Sequence, residues 1–313
     1  MSERVFEECL GYLENFPSVL KSLGRDEVIG RGSTYRYLHD GKEHQRILAE
    51  EIFVEGLDKL MGDLGLSSTT LNKGRYQELG GTGEYQDVLV VSDFDGVDGF
   101  VKGRINPDEG LGGANASLAV VDEKGRLLGS AIIDLEGEDM FYTRGPISQV
   151  FRKMGGAASA EPVRSPESID SLDKVRTFAP GLKSLRKFDR SGQLEETFGG
   201  FRDLLRSYGA TELDVSGPDY ASEIIRGNLD VYLTVGEHFP KMATVGDMVN
   251  GSGGVAVELV PSRHQKQRFR PKEITLHGIW PLDDIYNQST RKTFLAVPND
   301  ALYKAVLTEI GKV

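Results

Sequence analysis

The chain is poor in the residues that staple or anchor a protein. Its 313 residues include one cysteine, Cys9, which excludes an intramolecular disulfide and any zinc site built on several thiolates. A lone cysteine also suits a reducing compartment. No apolar run approaches the roughly 20 residues that span a bilayer. The opening MSERVFEECL is acidic and lacks the apolar core of a signal peptide. These absences predict a cytoplasmic protein with no membrane partner. Positive charge is also scarce: 37 Lys and Arg stand against 48 Asp and Glu, for a formal net charge of -11. Such a surface repels nucleic acid, whose affinity rests on phosphate neutralisation. His39, His44, His238, His264 and His277 form no H-x-x-x-H pair and no local cluster with acids, which gives histidine-based chemistry little support. There is no G-x-x-x-x-G-K-[ST] loop for nucleotide hydrolysis, and Gly110, Gly112 and Gly113 form no dinucleotide fingerprint.

What remains is an ordinary globular composition, 39% hydrophobic and 27% charged. The length suits two domains of about 150 residues or one α/β unit with two halves. Residues 44 to 63 place Ile47, Leu48, Ile52, Phe53, Leu57, Leu60 and Met61 on one helical stripe opposite Glu50, Glu51, Glu55 and Asp58, predicting an amphipathic helix. Val88-Leu89-Val90-Val91 reads as a buried strand emptying into an acidic loop, Ser92 to Gly99. Residues 116 to 121 and 127 to 133 flank a short turn containing Gly125, a hairpin pattern, and Met140 to Thr143 adds a third strand. Residues 155 to 174 are small, polar and Pro-containing and read as a surface loop. They divide the chain into an N-terminal half, 1–175, carrying the acidic loop, and a C-terminal half, 176–313, closing over it. In the second half helices are expected near 194–208, 218–227 and 243–250, with strands near 211–215 and 230–235. The basic island 263–272 reads as a solvated loop or hairpin, or as a flap facing an anion. A strand at 293–297 and a helix at 300–310 close the chain.

The acidic loop carries a resemblance. Asp95-Gly96-Val97-Asp98-Gly99-Phe100 resembles the D-P-x-D-G-T metal motif of the inositol-monophosphatase and fructose-bisphosphatase family, and Gln77-Glu78-Leu79-Gly80 resembles its upstream E-E-x-G segment. Phe141 to Gly145 is similar to the stretch A-x-x-G-x-G. Ser216 to Asp230 is similar to the pattern S-A-A-L-x-L-x-x-V-A-x-G-x-x-D, and the chain then runs without a gap to Gly253-Gly254. Phe294 to Ile310 resembles the closing A-x-N-x-x-L strand and helix. The order is kept from residue 44 to residue 310. The resemblance implies a layered α-β-α-β-α sandwich, a small phosphorylated metabolite as substrate, a sugar or polyol phosphate above all, and a homodimer. It also implies magnesium or manganese held by Asp95, Asp98, Glu78 and Gln77, with catalysis resting on Asp95, Asp98 and Glu78. The acids suit that role, because magnesium takes oxygen ligands. Gly99 and Phe100 would offer backbone N–H groups to phosphate. Outside such a pattern, an acid-rich turn after a strand is only a solvated loop.

Several positions depart from the pattern. Gln77 replaces a ligating glutamate, Phe100 replaces a threonine that orients the attacking water, and Thr234 replaces an acid that contacts inositol. The W-D-x-A segment falls on Pro240-Lys241-Met242-Ala243, so an ammonium stands where a carboxylate binds metal. Lys241 would repel a nearby cation and could bind phosphate as a point charge. Three readings follow. One is a metal-dependent phosphatase with fewer ions and a weakened site, drawing on Asp93 as well. The second is a catalytically impaired relative acting as a binding or assembly protein. The third uses the same residues differently: Asp93-Phe94-Asp95-Gly96-Val97 resembles the D-x-D-x-[TV] nucleophile motif of haloacid-dehalogenase phosphatases, with Asp247 supplying a closing acid and Lys241 nearby.

Overall fold

The computed structural model describes residues 2–23, 36–39, 42–45, 48–66, 68–72, 88–95, 115–135, 138–145, 148–181, 193–213, 219–262, 269–272, 274, 279–281 and 291–311. Helix α1 (Ser2–Leu23) leads, then the short antiparallel pair β1 (Arg36–His39) and β2 (Lys42–Gln45), and helix α2 (Leu48–Asp63). Strands β3 (Ser68–Asn72), β4 (Val88–Asp95), β5 (Asn115–Asp122), β6 (Leu127–Asp134), β7 (Met140–Thr143), β8 (Val150–Lys153) and β9 (Glu161–Val163) form one sheet in that order. In it β3 runs parallel to β4, and every other pairing is antiparallel.

The second half contributes β10 (Thr177–Gly181), α3 (Gln193–Ser207), β11 (Thr211–Glu212), α4 (Asp219–Arg226), β12 (Val231–His238) and α5 (Phe239–Gly251). It ends with β13 (Val255–Pro261), β14 (Phe269–Lys272), β15 (Arg291–Val297) and α6 (Asp300–Ile310). These strands form a second sheet in the order β11-β10-β12-β15-β13-β14.

Side-chain alternation sorts the elements into five layers. On α1, Val5, Phe6, Cys9, Leu10, Leu13, Phe16 and Leu20 recur at helical spacing and are buried with Phe53 and Leu57 of α2 against Val90, Phe94, Leu118, Val120 and Ile133 of the first sheet. Each such side chain is worth roughly 1.5–3 kcal/mol of burial. Phe6 sits so close over β6 that a Cβ on Gly129 would lie 2.5 Å from its ring, so only glycine fits there. Burial, reinforced by Glu8, pushes the Cys9 thiol up to about 12, which leaves it inert.

The opposite face of that sheet (Val91, Ala119, Ile132, Phe141) packs on α4 and α5, which in turn pack on Tyr232, Ala256, Phe294 and Ala296 of the second sheet. The outer face of the second sheet, including Val231, Leu233, Leu295 and Val297, is covered by Phe198, Phe201 and Leu205 of α3 and Leu302, Val306 and Ile310 of α6. The result is the α-β-α-β-α sandwich.

A charged network ties the middle layer to the first sheet. Arg226 of α4 donates to Asp139 (3.0 Å) and to Glu223 (2.6 Å), and Arg152 of β8 donates to the same Asp139 oxygen (2.5 Å). The Arg226 guanidinium lies 5.0 Å from the centre of the Phe141 ring, and Asn228 donates to the other Glu223 oxygen (2.8 Å).

Some boundaries differ from the sequence reading. The first amphipathic helix starts at Leu48, because His44 and Gln45 belong to β2. Ser92 to Asp95, read as loop, continue the β4 ladder as far as the Asp95–Asn115 pair. Residues 155–174 include β9 and a single 3-10 turn, Leu172–Lys174. Of the basic island, Phe269 to Lys272 form the edge strand β14, and 263–268 lie outside the described residues. Among the described residues no helix is long and apolar enough to cross a membrane.

Candidate active site

The end of β4 decides where the chemistry can sit. Val90 and Phe94 face α1 and α2, whereas Val91 faces the middle layer, so by two-residue alternation Asp93 joins Val91 on the inner face. Its ladder partner is Ser117, which is buried, and beyond the Phe94–Ala116 pair Asp95 is matched with the fully buried Asn115. Strands seldom hold an acid on a buried face. Asp93 is tolerated there because other polar groups lie across from this end of β4.

Those groups come from α4, β12 and α5. Tyr220 and Tyr232 stack with ring centres 3.5 Å apart and planes at 9°. Burial holds the Tyr220 phenol well above its usual range, with Tyr232, Glu237 and Asp93 adding to the effect. Burial also raises Tyr232; Glu237 reinforces the shift and Lys241 opposes it. Asp93, Tyr220, Tyr232, Glu237 and Lys241 therefore share one electrostatic neighbourhood between the sheets. Both phenols stay protonated there.

Glu237 reaches this neighbourhood through a bulge. Gly236 adopts φ +84°, and the β12–β15 register slips between Val235 and Glu237, so that Glu237 faces Lys292 across the ladder. The chain then turns into α5, and Lys241 Nζ comes back to 4.0 Å from Glu237 Oε1, with both side chains under one-fifth exposed. Two residues before the bulge, Thr234 is buried and donates to the Gly181 carbonyl of β10 (3.3 Å).

Among the described residues, the buried Tyr220 hydroxyl finds no hydrogen-bond partner. Such a group costs about 1–3 kcal/mol. Tyr220→Phe is accordingly expected to raise the unfolding free energy in urea by about 1 kcal/mol; a loss of stability would show that the hydroxyl is satisfied.

Asp93 and Lys241 thus act, from β4 and α5, on the same stacked pair of tyrosines, and Thr234 lies on the strand that leads to Glu237. Asp95 is fixed at backbone level as the last residue of β4. Gln77, Glu78, Asp98, Gly99 and Phe100 lie outside the described residues. Sequence reasoning missed Glu237, Tyr220 and Tyr232; the four-residue spacing of Glu237 and Lys241 was the one available signal. Asp247, which the haloacid-dehalogenase resemblance would bring to Asp93, is instead buried under β6 and β7, accepting from Thr143 (2.6 Å) and Ser130 (3.1 Å). It lies two strands away from β4, so that constellation is not assembled.

Among the described residues, no three His, Cys, Asp or Glu side chains gather to hold a metal. By donor chemistry, Asp95, Asp98, Glu78 and Gln77 are all hard oxygen ligands and fit a magnesium-class ion. Lys241 fits none, and supplies a positive charge of its own.

No protein-family model matches the chain, and no curated protein matches it in sequence. Solved structures do match. An inositol monophosphatase of Thermotoga maritima is 16% identical with a TM-score of 0.59, covering 99% of this chain and 97% of that one. The extragenic suppressor protein SuhB of Bartonella henselae is 14% identical with a TM-score of 0.59, covering 99% of each. Inositol monophosphatase II of Staphylococcus aureus, solved with inositol monophosphate bound, is 14% identical with a TM-score of 0.62, covering 99% of this chain and 95% of that one. Over nearly its whole length, this chain has the inositol-monophosphatase fold.

Proposed function

We propose that this protein hydrolyses a small phosphomonoester, a sugar or polyol phosphate, at the inner end of β4. The observation that carries the proposal is that Asp93 of β4 and the Glu237–Lys241 pair act on the same stacked tyrosines, Tyr220 and Tyr232, near the point where the chain enters its acidic segment. Similar structures hold inositol monophosphate or 2'-AMP, which supports a phosphate ester as the ligand class.

In this scheme Asp95, Asp98 and Glu78, with Gln77, would hold one magnesium or manganese ion. When bound, that ion would polarise the phosphoryl oxygen and lower the pKa of a bound water. The Gly99 and Phe100 N–H groups hold the phosphate oxygens. Lys241 neutralises phosphate charge as a fixed ammonium, Glu237 holds that ammonium in place, and Thr234 borders the remainder of the substrate.

One observation favours a second reading. Glu237 already offsets the Lys241 charge, as it would in a relative that binds a ligand without turning it over. Thermal unfolding with manganese and inorganic phosphate addresses the metal site itself. The phosphatase reading predicts that manganese raises Tm, that phosphate raises it further, and that a chelator reverses both. No shift with manganese at millimolar concentration would remove the metal from the scheme.

A further inference from the structure

One buried polar group beside the candidate site has no duty in the reaction scheme. Tyr220 is the second residue of α4, and its side chain is fully buried in the layer between the sheets. Its ring stacks on Tyr232 and lies 6.2 Å from the centre of the Phe294 ring. That apolar packing accounts for the ring and leaves the hydroxyl unexplained. Tyr232, Glu237 and Asp93 are the polar neighbours that act on it, and among the described residues none completes a hydrogen bond to it.

Phenylalanine would fill the same space and keep both ring contacts without an unmet donor. A hydroxyl there gives up stability, and an orphaned polar group of this kind calls for a ligand or a reaction that uses it. Place narrows the choice. Tyr232 lies two residues before Thr234 on β12, the strand that leads to Glu237, while Asp93 acts on the same hydroxyl from β4. Charge narrows it further. Two carboxylates, Glu237 and Asp93, help to keep the proton on the oxygen, so the group is a donor in negative surroundings. A further anion would be repelled there, whereas an uncharged oxygen would not.

We propose that the Tyr220 hydroxyl donates a hydrogen bond to an uncharged hydroxyl oxygen of the substrate, and so selects a polyol phosphate over a phosphate ester that lacks that oxygen. The inference rests on the phosphatase reading for the position of the phosphate. Tyr220 is then a specificity-determining residue, set apart from the groups that hold the ion and the phosphate.

The test compares glycerol phosphate with propyl phosphate, which keeps the three-carbon chain and lacks its hydroxyls, in the presence of magnesium. The wild type is expected to favour glycerol phosphate in kcat/KM by about five- to ten-fold, the worth of one uncharged hydrogen bond. Tyr220→Phe should bring that ratio close to one by slowing glycerol phosphate, with propyl phosphate little changed. The same variant should unfold at higher urea concentration than the wild type. A tyrosine that only packs the core would leave the substrate ratio untouched. Equal kcat/KM values in the wild type, a ratio insensitive to Tyr220→Phe, or a less stable variant would each overturn the proposal; the last would show the hydroxyl already satisfied within the protein. If neither ester releases phosphate, titration calorimetry with the same two compounds is read instead. Tighter binding of glycerol phosphate, lost in Tyr220→Phe, would keep the Tyr220 contact and reject catalysis; equal affinities or no binding would reject both.

Discussion

Asp95→Asn is expected to lower metal-dependent phosphate release by about a thousand-fold or more, with little change in thermal stability. The substitution keeps the shape of the side chain and removes only its charge. Asp95 closes the β4–β5 ladder opposite Asn115, and that backbone pairing does not depend on a carboxylate. Metal-borne stabilisation of the transition state is worth several kcal/mol, and each 1.36 kcal/mol is a factor of ten in rate. Steady-state kinetics over a magnesium series would separate loss of ion affinity, which saturating magnesium partly recovers, from loss of the reacting geometry, which it does not. Wild-type rates in the variant would show that the ion is held elsewhere.

The largest structural effect is expected at Arg226. Its guanidinium joins Asp139, between β6 and β7, to Glu223 on its own helix, and all three side chains are less than one-fifth exposed. Arg226→Met keeps the aliphatic volume over Phe141 but leaves two carboxylates sharing less positive charge. Removing one partner of a buried ion pair costs about 3–5 kcal/mol. Arg152 still reaches Asp139 and Asn228 still reaches Glu223, which places the expected loss at the lower end, about 3 kcal/mol. Adding Glu223→Gln to Arg226→Met should recover part of it, since one of the stranded charges is then gone. Urea unfolding of the single and double variants measures both quantities. Additive losses would mean that the two side chains are not coupled.

Where the pattern was strong, the fold could be read from the residues. The β5–β6 hairpin was placed within one residue at each end, and Met140–Thr143 and the closing helix Asp300–Ile310 were placed to the residue. Each has an unbroken apolar stripe and a clear stop such as the Gly125 turn. Helix α1 went unread although seven of its apolar residues lie on one face. Pro17 sits inside it, where proline removes a backbone donor and ordinarily ends a helix, and Gly11 weakens the preceding turn. Burial of the stripe against β5 and β6 outweighs both. Strands β10 and β13 went unread: TFAPG is short and interrupted by proline, and VAVELVP, seven residues long, ends in one.

The candidate site was half legible. The acids at the end of β4 and the lysine in α5 are local signals, visible as departures from a pattern. The partners that give them meaning are not local. Tyr220 feels the charge of Asp93 across more than a hundred residues of sequence, and Glu237 belongs to a bulge whose register is set by β15. The Glu237–Lys241 spacing resembles a helical i,i+4 pair, yet it spans a strand–helix junction, where such a pair carries no helical meaning.

The central claim is that an acidic strand end and a fixed ammonium together make a metal-dependent phosphatase. Phosphate release from a panel of sugar, polyol and nucleotide monophosphates, with magnesium or manganese against a chelator, tests it most directly. The account predicts release from at least one polyol or sugar phosphate that the chelator abolishes and added magnesium restores. No release from folded protein across the panel, or release that a chelator leaves untouched, would contradict it.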